Sequence, residues 1–344
     1  MSSDNLTAIH PPIRVSAVIY SGPVGKKLIL ASDGETVIKE QNLEMRATIG
    51  QLENLEFATP REAFEYRLSA DASTMFLTGT FDPALKDADV APEARLSRLQ
   101  SNRSRPRVAA TKEYLSFRDC PGLISIDIDV KDPAEVPAIH PEYGAKALMT
   151  ADEVVEALYI VLPEAKGCPI LIVPSSSSMI ERTSDGALAK GPGGWRILLS
   201  TRDASQTPRI LNVIHQRCWA LGLHQYAWIS KSGDFLVRSL ADQALARPTQ
   251  PDYPAALLGD GLRKVANAHL MRDVDGPLFE PNSVQLSRED ESIARDNIAA
   301  ARTVLKPSKT VIKSAYKEQC VEGLVSRGVP RSNAERAVII KLEK

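Results

Sequence analysis

The chain has 344 residues, 43% of them hydrophobic and 25% charged, with a formal net charge of −1. That is the balance of a folded globular protein of two domains, or one large domain with an extension, and it excludes a disordered or collagen-like chain. Four scattered cysteines (Cys120, Cys168, Cys218, Cys320) without Cys-x-x-Cys spacing argue against a disulfide framework or zinc site, and no apolar run has transmembrane or signal-peptide character, so a cytoplasmic protein with no membrane partner is expected.

Residues 1–12 read as a polar lead-in. Ile13 to Tyr20 and Lys27 to Ala31 are apolar and β-prone, and Asp33-Gly34 is a hairpin turn into Glu35 to Lys39. Thr59-Pro60-Arg61-Glu62 opens a helix to about Leu68, with Thr59 as cap, Pro60 at the first helical position and Glu62 closing a capping box. A strand follows at Met75 to Thr78. From Glu93 to Lys112 six Lys/Arg face one acidic residue, and Ser101 to Arg107 has no apolar periodicity. This basic loop, with Arg103, Arg105, Arg107 and Lys112, either holds a polyanion or is a solvated linker.

Leu123 to Val130 follows a Pro-Gly turn and is rich in β-branched residues, hence a strand. Asp127 and Asp129 lie inside it on one face, roughly 6.6 Å apart along the backbone, while Ile126, Ile128 and Val130 face a core. Two like charges on one face of a central strand repel and lose hydration unless a cation lies between them, and a hard divalent ion with oxygen ligands accounts for the pair. The alternative is an edge strand with an acidic solvent face.

Thr150 and Glu153 open a helix ending before Pro163. Ile170 to Val173 reads as a buried strand, and the serines Ser175 to Ser178 at its end offer N–H and hydroxyl groups to a phosphate. After a polar excursion, Gly193 to Ser200 returns as a strand in which Arg196 shares a face with Leu198. That arginine pairs with a phosphate or, internally, with an aspartate. Thr207-Pro208 starts a helix that Gly222 ends, and neither His215 nor His224 beside it is assigned a role. Tyr226 to Ser230 and Phe235 to Ala241 form a hairpin with Lys231 at its turn, the second strand carrying Arg238 and ending at Asp242. Beyond the proline-rich stretch up to Tyr253 the pattern reads as helical: one helix from Ser287 to Pro307, a second from about Ser308 to Arg327 and a third opened by Ser332 and Glu335. From Arg302 to Lys344 ten Lys/Arg face four Glu, a net +6 that suits nucleic-acid contact or a linker. The chain end inside a helical pattern reads as the start of a segment continuing in a longer protein.

The order of Asp-x-Asp strand, serine-rich strand end, Gly-Gly-x-basic strand and strand ending in Asp resembles the archaeo-eukaryotic primase superfamily. More narrowly it resembles the primase-polymerases of phages and mobile elements. Thr111 to Phe117 leading into Pro121-Gly-Leu-Ile-Ser-Ile-Asp-Ile-Asp is similar to that group's approach to its first motif, and Ser230 to Gly233 with Arg238-Ser-Leu-Ala-Asp242 to its third. The resemblance covers roughly Ile13 to Asp260. It implies an α+β fold: an RRM-like catalytic core of mixed sheets flanked by helices (1–260), followed by a helical basic C-terminal region (261–344). It implies Mg²⁺ or Mn²⁺ held by Asp127, Asp129 and Asp242, with Ser176, Ser177, Ser178, Lys190 and Arg196 holding a triphosphate and Lys231 and Arg238 contacting phosphate or template. Arg196 stands where the superfamily commonly has histidine, so no neutral imidazole donates there.

The implied activity is template-directed nucleotidyl transfer, DNA primase and polymerase in one, on a single-stranded DNA template, a primer and (deoxy)nucleoside triphosphates. Its partner is a helicase or other replication protein, since no G-x-x-x-x-G-K-[ST] run supplies an ATPase in this chain. Location would be the cytoplasm, the host's if phage-encoded. The same carboxylates also suit a metal-dependent nuclease or a D-x-D glycosyltransferase, and the fold could serve as a non-catalytic single-strand-binding replication module.

Overall fold

β1 (Ile13–Tyr20) pairs antiparallel with β2 (Gly50–Phe57) along its whole length, from Ile13↔Phe57 to Tyr20↔Gly50. β2 gives little sequence signal: half its side chains are polar, and only pairing on β1 reveals that Gly50 and Leu52 are buried while Gln51 and Glu56 are exposed. The computed structural model describes residues 11–40, 49–85, 87–93, 96, 106–129, 150–230 and 232–342. The class is α+β, in two units: one of described residues within 11–129, 150–213 and 241–285, the other of 214–240 and 286–342.

In the first unit α1 (Pro60–Ser69) starts where expected. Thr59 Oγ1 accepts from the Glu62 N–H at 3.2 Å, and the Glu62 carboxylate reaches back to the Ala58 N–H at 2.9 Å. β3 (Thr74–Leu77) lies on the other side of β1, and Pro251–Asp252 lies beyond β3. β4 (Gly122–Asp129) is the Asp-x-Asp strand. α2 (Ala151–Val161) carries both bonds of a capping box between Thr150 and Glu153. Then follow β5 (Ile170–Pro174), β6 (Ile180–Arg182), β7 (Leu188–Lys190) and β8 (Gly194–Thr201). The second sheet is antiparallel throughout, in the order β4, β8, β5 and Leu270–Arg272. β4 therefore stands at one end of this sheet among the described strands, not at its centre. β6 and β7 make a hairpin that Leu262–Lys264 extends on the β6 side. On α1, Phe64 is buried against Leu171 and Leu198 of the second sheet.

α3 (Thr207–Leu221) contributes residues to both units. The second unit has the hairpin of β9 (Tyr226–Ile229) and β10 (Phe235–Arg238), then α4 (Arg288–Val325) and α5 (Arg331–Leu342). Trp219, Ala227 and Ile229 form one core with Ala294, Ala301 and Leu305 of α4. Pro307 does not stop the helix. Its ring removes one backbone bond at a typical cost of about 3 kcal/mol, but Leu305 before it and Ile312 after it pack in the same cluster, and that shared burial keeps the helix continuous.

The stretch after Tyr253 is also not helical at first. Leu257–Leu258, Leu262–Lys264 and Leu270–Arg272 are short strands in the first unit, and helix begins only at Arg288. Asp260-Gly261, with Gly261 at φ +81°, is the turn that separates the first two. No helix among the described residues is long and apolar enough to cross a membrane.

Candidate functional site

On β4 the side chains of Ile126 and Ile128 are buried, and Asp127 points to the opposite face with its side chain 26% exposed. Antiparallel pairing sets Asp127 directly across from Arg196 of β8. The guanidinium donates to Asp127 Oδ1 from Nε at 3.3 Å and approaches it with Nη2 at 3.0 Å, while Nη1 pairs with Asp252. Asp252 is buried and also accepts from Arg67 Nη2, at 3.1 Å to each oxygen. Arg67 reaches this position because it lies one turn beyond Phe64 on α1, and it stacks over the Phe76 ring at 4.9 Å. The result is an alternating chain of charge: Asp127, Arg196, Asp252, Arg67.

Burial works against the charge on Arg196, but Asp252 and Asp127 outweigh it and hold its pKa above the usual guanidinium value. Burial likewise pushes the Asp252 carboxyl up, and Arg196 and Arg67 more than reverse this, so its pKa falls below the usual carboxylate range.

Asp242 comes to the same strand through its backbone. Its N–H donates to the Asp127 carbonyl at 3.0 Å. It lies past the end of β10 rather than on it, and caps the 3₁₀ turn Gln243–Ala246 by accepting from the Ala244 N–H at 3.0 Å.

The serine run forms a tight turn at the end of β5. Asp129 pairs with Gly194 in the β4–β8 register, and the Gly194 carbonyl accepts from the Ser175 N–H at 2.9 Å. A Cβ at Gly194 would stand 3.0 Å from the Ile128 carbonyl oxygen, so a larger residue would force this approach open. Ser178 is buried and structural: its hydroxyl meets Ser175 Oγ at 2.7 Å and accepts from the Gly193 N–H at 3.2 Å. The turn closes on Met179 at φ +52°, a left-handed conformation that costs a side-chain-bearing residue free energy. The N–H groups of Ser176 and Ser177 make no bond among the described residues.

Behind the turn lies Lys264. Its ammonium donates to the carbonyls of Ser175, at 2.8 Å, and Ser178. Burial, with the neighbouring charges of Lys190 on β7 and Lys26, pushes its pKa down to about 8. A half-buried cluster of lysines beside two N–H groups is a place for a polyanion.

The remaining expected residues are placed as follows. Arg103 and Arg105 of the basic loop, and Lys231, lie outside the described residues. Arg107 is on the short strand Arg107–Val108, nearly buried and paired with Asp89 at 3.7 Å, whereas Lys112 is exposed. Arg238 belongs to the second unit, where it helps burial drive the His215 pKa down to about 4; His215 Nδ1 bonds Ser239 Oγ at 3.0 Å.

Sequence reading missed Arg67, Asp252, Lys26 and Lys264. Asp252 lies in a Pro-x-x-Pro stretch that looks like a linker. Lys264 lies in a segment that looked helical, though Asp260-Gly261 before Leu262-Arg263-Lys264-Val265 is a turn-then-strand signal.

Carboxylate oxygens are the ligands hard divalent ions take. Asp127 and Asp242, joined through the Asp242 N–H and the Asp127 carbonyl, are of that donor chemistry, with Arg196 compensating part of the Asp127 charge. Among the described residues, no three acidic, histidine or cysteine side chains are gathered into a metal-sized group; the Asp129 side chain is not among those described. No protein-family model, curated protein or solved structure matches the chain.

Proposed function

We propose that the chain is a template-directed nucleotidyltransferase, a DNA primase-polymerase built on an RRM-like catalytic sheet. One observation carries this reading: the Asp-x-Asp strand is joined, through the Asp129–Gly194 pair and the Gly194–Ser175 hydrogen bond, to a serine turn backed by Lys264 and Lys190. A carboxylate strand end beside a cationic, N–H-bearing turn is the layout that nucleotide addition needs, with metal on one side and triphosphate on the other.

Asp127, Asp129 and Asp242 would hold Mg²⁺ or Mn²⁺, whose chemistry is to lower the pKa of a primer 3′-hydroxyl and stabilise charge on the leaving pyrophosphate. The chain's own groups do the rest. The Ser176 and Ser177 N–H groups bind phosphate oxygens, and Lys264 and Lys190 neutralise them. Arg196 acts as a positioning residue: it fixes the Asp127 carboxylate from the neighbouring strand and does not itself grip the triphosphate.

The Arg196–Asp127 bond also favours a second reading. One Asp127 oxygen is already engaged by a guanidinium, as in a module that keeps the sheet and binds single strands without catalysis. A labelled primer on a template, incubated with dNTPs and Mg²⁺ or Mn²⁺, separates the readings. Elongation that Asp129→Asn abolishes supports nucleotidyl transfer. Unchanged primer with either metal, in a preparation that still binds single strands, establishes the second reading, and primer shortening would show a nuclease.

A further inference from the structure

Within the second unit, α4 presents Arg302, Lys306, Lys309 and Lys313 on one face, at spacings of four, three and four residues. They line an open groove of about 480 Å³ against the β9–β10 hairpin, and Thr303, Thr310 and Ser314 line it with them. None of the lining residues is acidic, and among the described residues none of the four cations has an ion-pair partner.

One of these cations is held in place: Lys309 stands over the Phe235 ring at 4.5 Å. Lys313 is exposed, and its backbone runs close under the hairpin turn, where a Cβ on Gly233 (φ +85°) would come within 2.6 Å of the Lys313 Cβ. Ordinary surface lysines lose rotamer entropy on gripping an anion; at Lys309 part of that loss is already incurred in the fold. Further along the same helix, Glu318 and Glu322 pair with Arg331 of α5.

We infer that this groove binds the phosphate backbone of single-stranded nucleic acid. Arg302 to Lys313 spans about 16 Å of helix, a single file of positive charge flanked by the hydroxyls of Thr310 and Ser314, which suits one file of phosphates. A lipid surface is disfavoured because the exposed apolar side chains of this stretch, Val304 and Val311, lie on the far side of the helix from the cations. The inference stands apart from the proposed catalysis, since binding is read with neither metal nor nucleotide present.

The test is fluorescence anisotropy of labelled (dT)25 with the full chain in EDTA, from 50 to 200 mM salt. The variant replaces Arg302, Lys306, Lys309 and Lys313 with Gln. A control replaces Arg202, Arg263, Arg272 and Arg336 with Gln, removing the same charge from outside the groove. Each phosphate contact contributes about 0.7 to the log–log salt slope on a single strand. The groove variant should therefore have a slope shallower by about 2 to 3, so the unmodified chain loses on the order of 30-fold more affinity across that salt range. The control should keep the original slope. The inference is overturned if the unmodified chain fails to bind (dT)25 at 50 mM salt, if the groove variant keeps its slope, or if the control loses as much. It is equally overturned if a 25-base-pair duplex binds the groove more tightly than (dT)25, or if the groove substitutions abolish binding to phosphatidylserine vesicles while sparing (dT)25. Matching circular dichroism melts confirm that the exposed substitutions leave the fold intact.

Discussion

Arg196→Met tests whether the alternating chain of charge is structural. The substitution keeps an unbranched apolar stem of similar length and removes the guanidinium. Asp252, 5% exposed at its side chain, then keeps only Arg67, and Asp127 loses its cross-strand partner. Breaking a buried ion pair costs about 3 to 5 kcal/mol because a charge is left uncompensated. Since Arg67 still contacts both Asp252 oxygens and Asp127 is partly wet, the expected loss is at the lower end, about 3 kcal/mol. Arg196→Lys should recover about half of it, because the charge returns without the fork.

The acid limb of the stability curve gives an independent sign. A carboxylate whose folded pKa is depressed adds stability that is present above the unfolded pKa and lost as pH falls through the folded value. For Asp252 in the unmodified chain that loss is confined to strong acid, below its ordinary pKa near 4. With Arg196 gone, burial pushes the carboxyl up against Arg67 alone, so the loss should begin at higher pH. Urea unfolding of both proteins from pH 3 to 8, with nucleotide KM measured on the same preparations, reads all of this. A loss under about 1 kcal/mol, an unshifted acid limb and a raised KM would refute the structural role and show Arg196 gripping the triphosphate instead.

Three further outcomes follow. Asp127→Asn and Asp129→Asn should each abolish primer extension in Mn²⁺, and Asp127→Asn should also lower stability by about 1 kcal/mol through the lost Arg196 pair; extension near the original rate by either would remove the metal role. Lys264 carries its charge below about pH 8, so the affinity for a nonhydrolysable nucleoside triphosphate should fall as pH rises through 8, and Lys264→Met should flatten that dependence. Because the folded pKa lies below the usual 10.5, the unfolded chain binds more protons between the two values, and stability should rise by about 3 kcal/mol from pH 8 to 10.5 in the unmodified chain only. Pro307→Ala supplies the missing N–H inside α4, opposite the Thr303 carbonyl, and should raise the melting temperature read by circular dichroism; an unchanged or lower value would show that the proline costs the helix nothing.

Local signals carried much of this fold. Thr59, Thr150 and Ser287 each cap the helix expected of them, and the alternation of Ile126, Asp127 and Ile128 marked a strand and its two faces correctly. What failed was non-local. Gly50–Phe57 becomes a strand because β1 pairs with it, not through its own composition. Pro307 is overruled by burial on the hairpin. The partners of Arg196 were out of reach for the same reason: Arg67 and Asp252 are 185 residues apart in sequence and meet only when α1 and Pro251–Asp252 reach the same region of the fold. The two readings of Arg196 that the sequence left open, phosphate or aspartate, could be weighed only once its strand neighbours were known.

The arginine at 196 also bears on how tightly a metal could be held. This chain places a permanent positive charge in direct contact with Asp127. A divalent ion at the carboxylates would feel that charge as repulsion and would compete with it for the same oxygen. At pH 8 a histidine at 196 would be neutral at its ordinary pKa, and the local carboxylate excess would grow by one. Arg196→His should therefore tighten Mn²⁺ binding on the order of tenfold, the scale of one added charge interaction at short range in a water-exposed site. Calorimetric titration of Mn²⁺ into both proteins at pH 8 measures this without reference to activity, and Asp129→Asn in the same background should abolish the heat. Equal affinities for the arginine and histidine proteins would mean that the guanidinium does not oppose a metal there, and that the cation the carboxylates were built to hold is Arg196 itself.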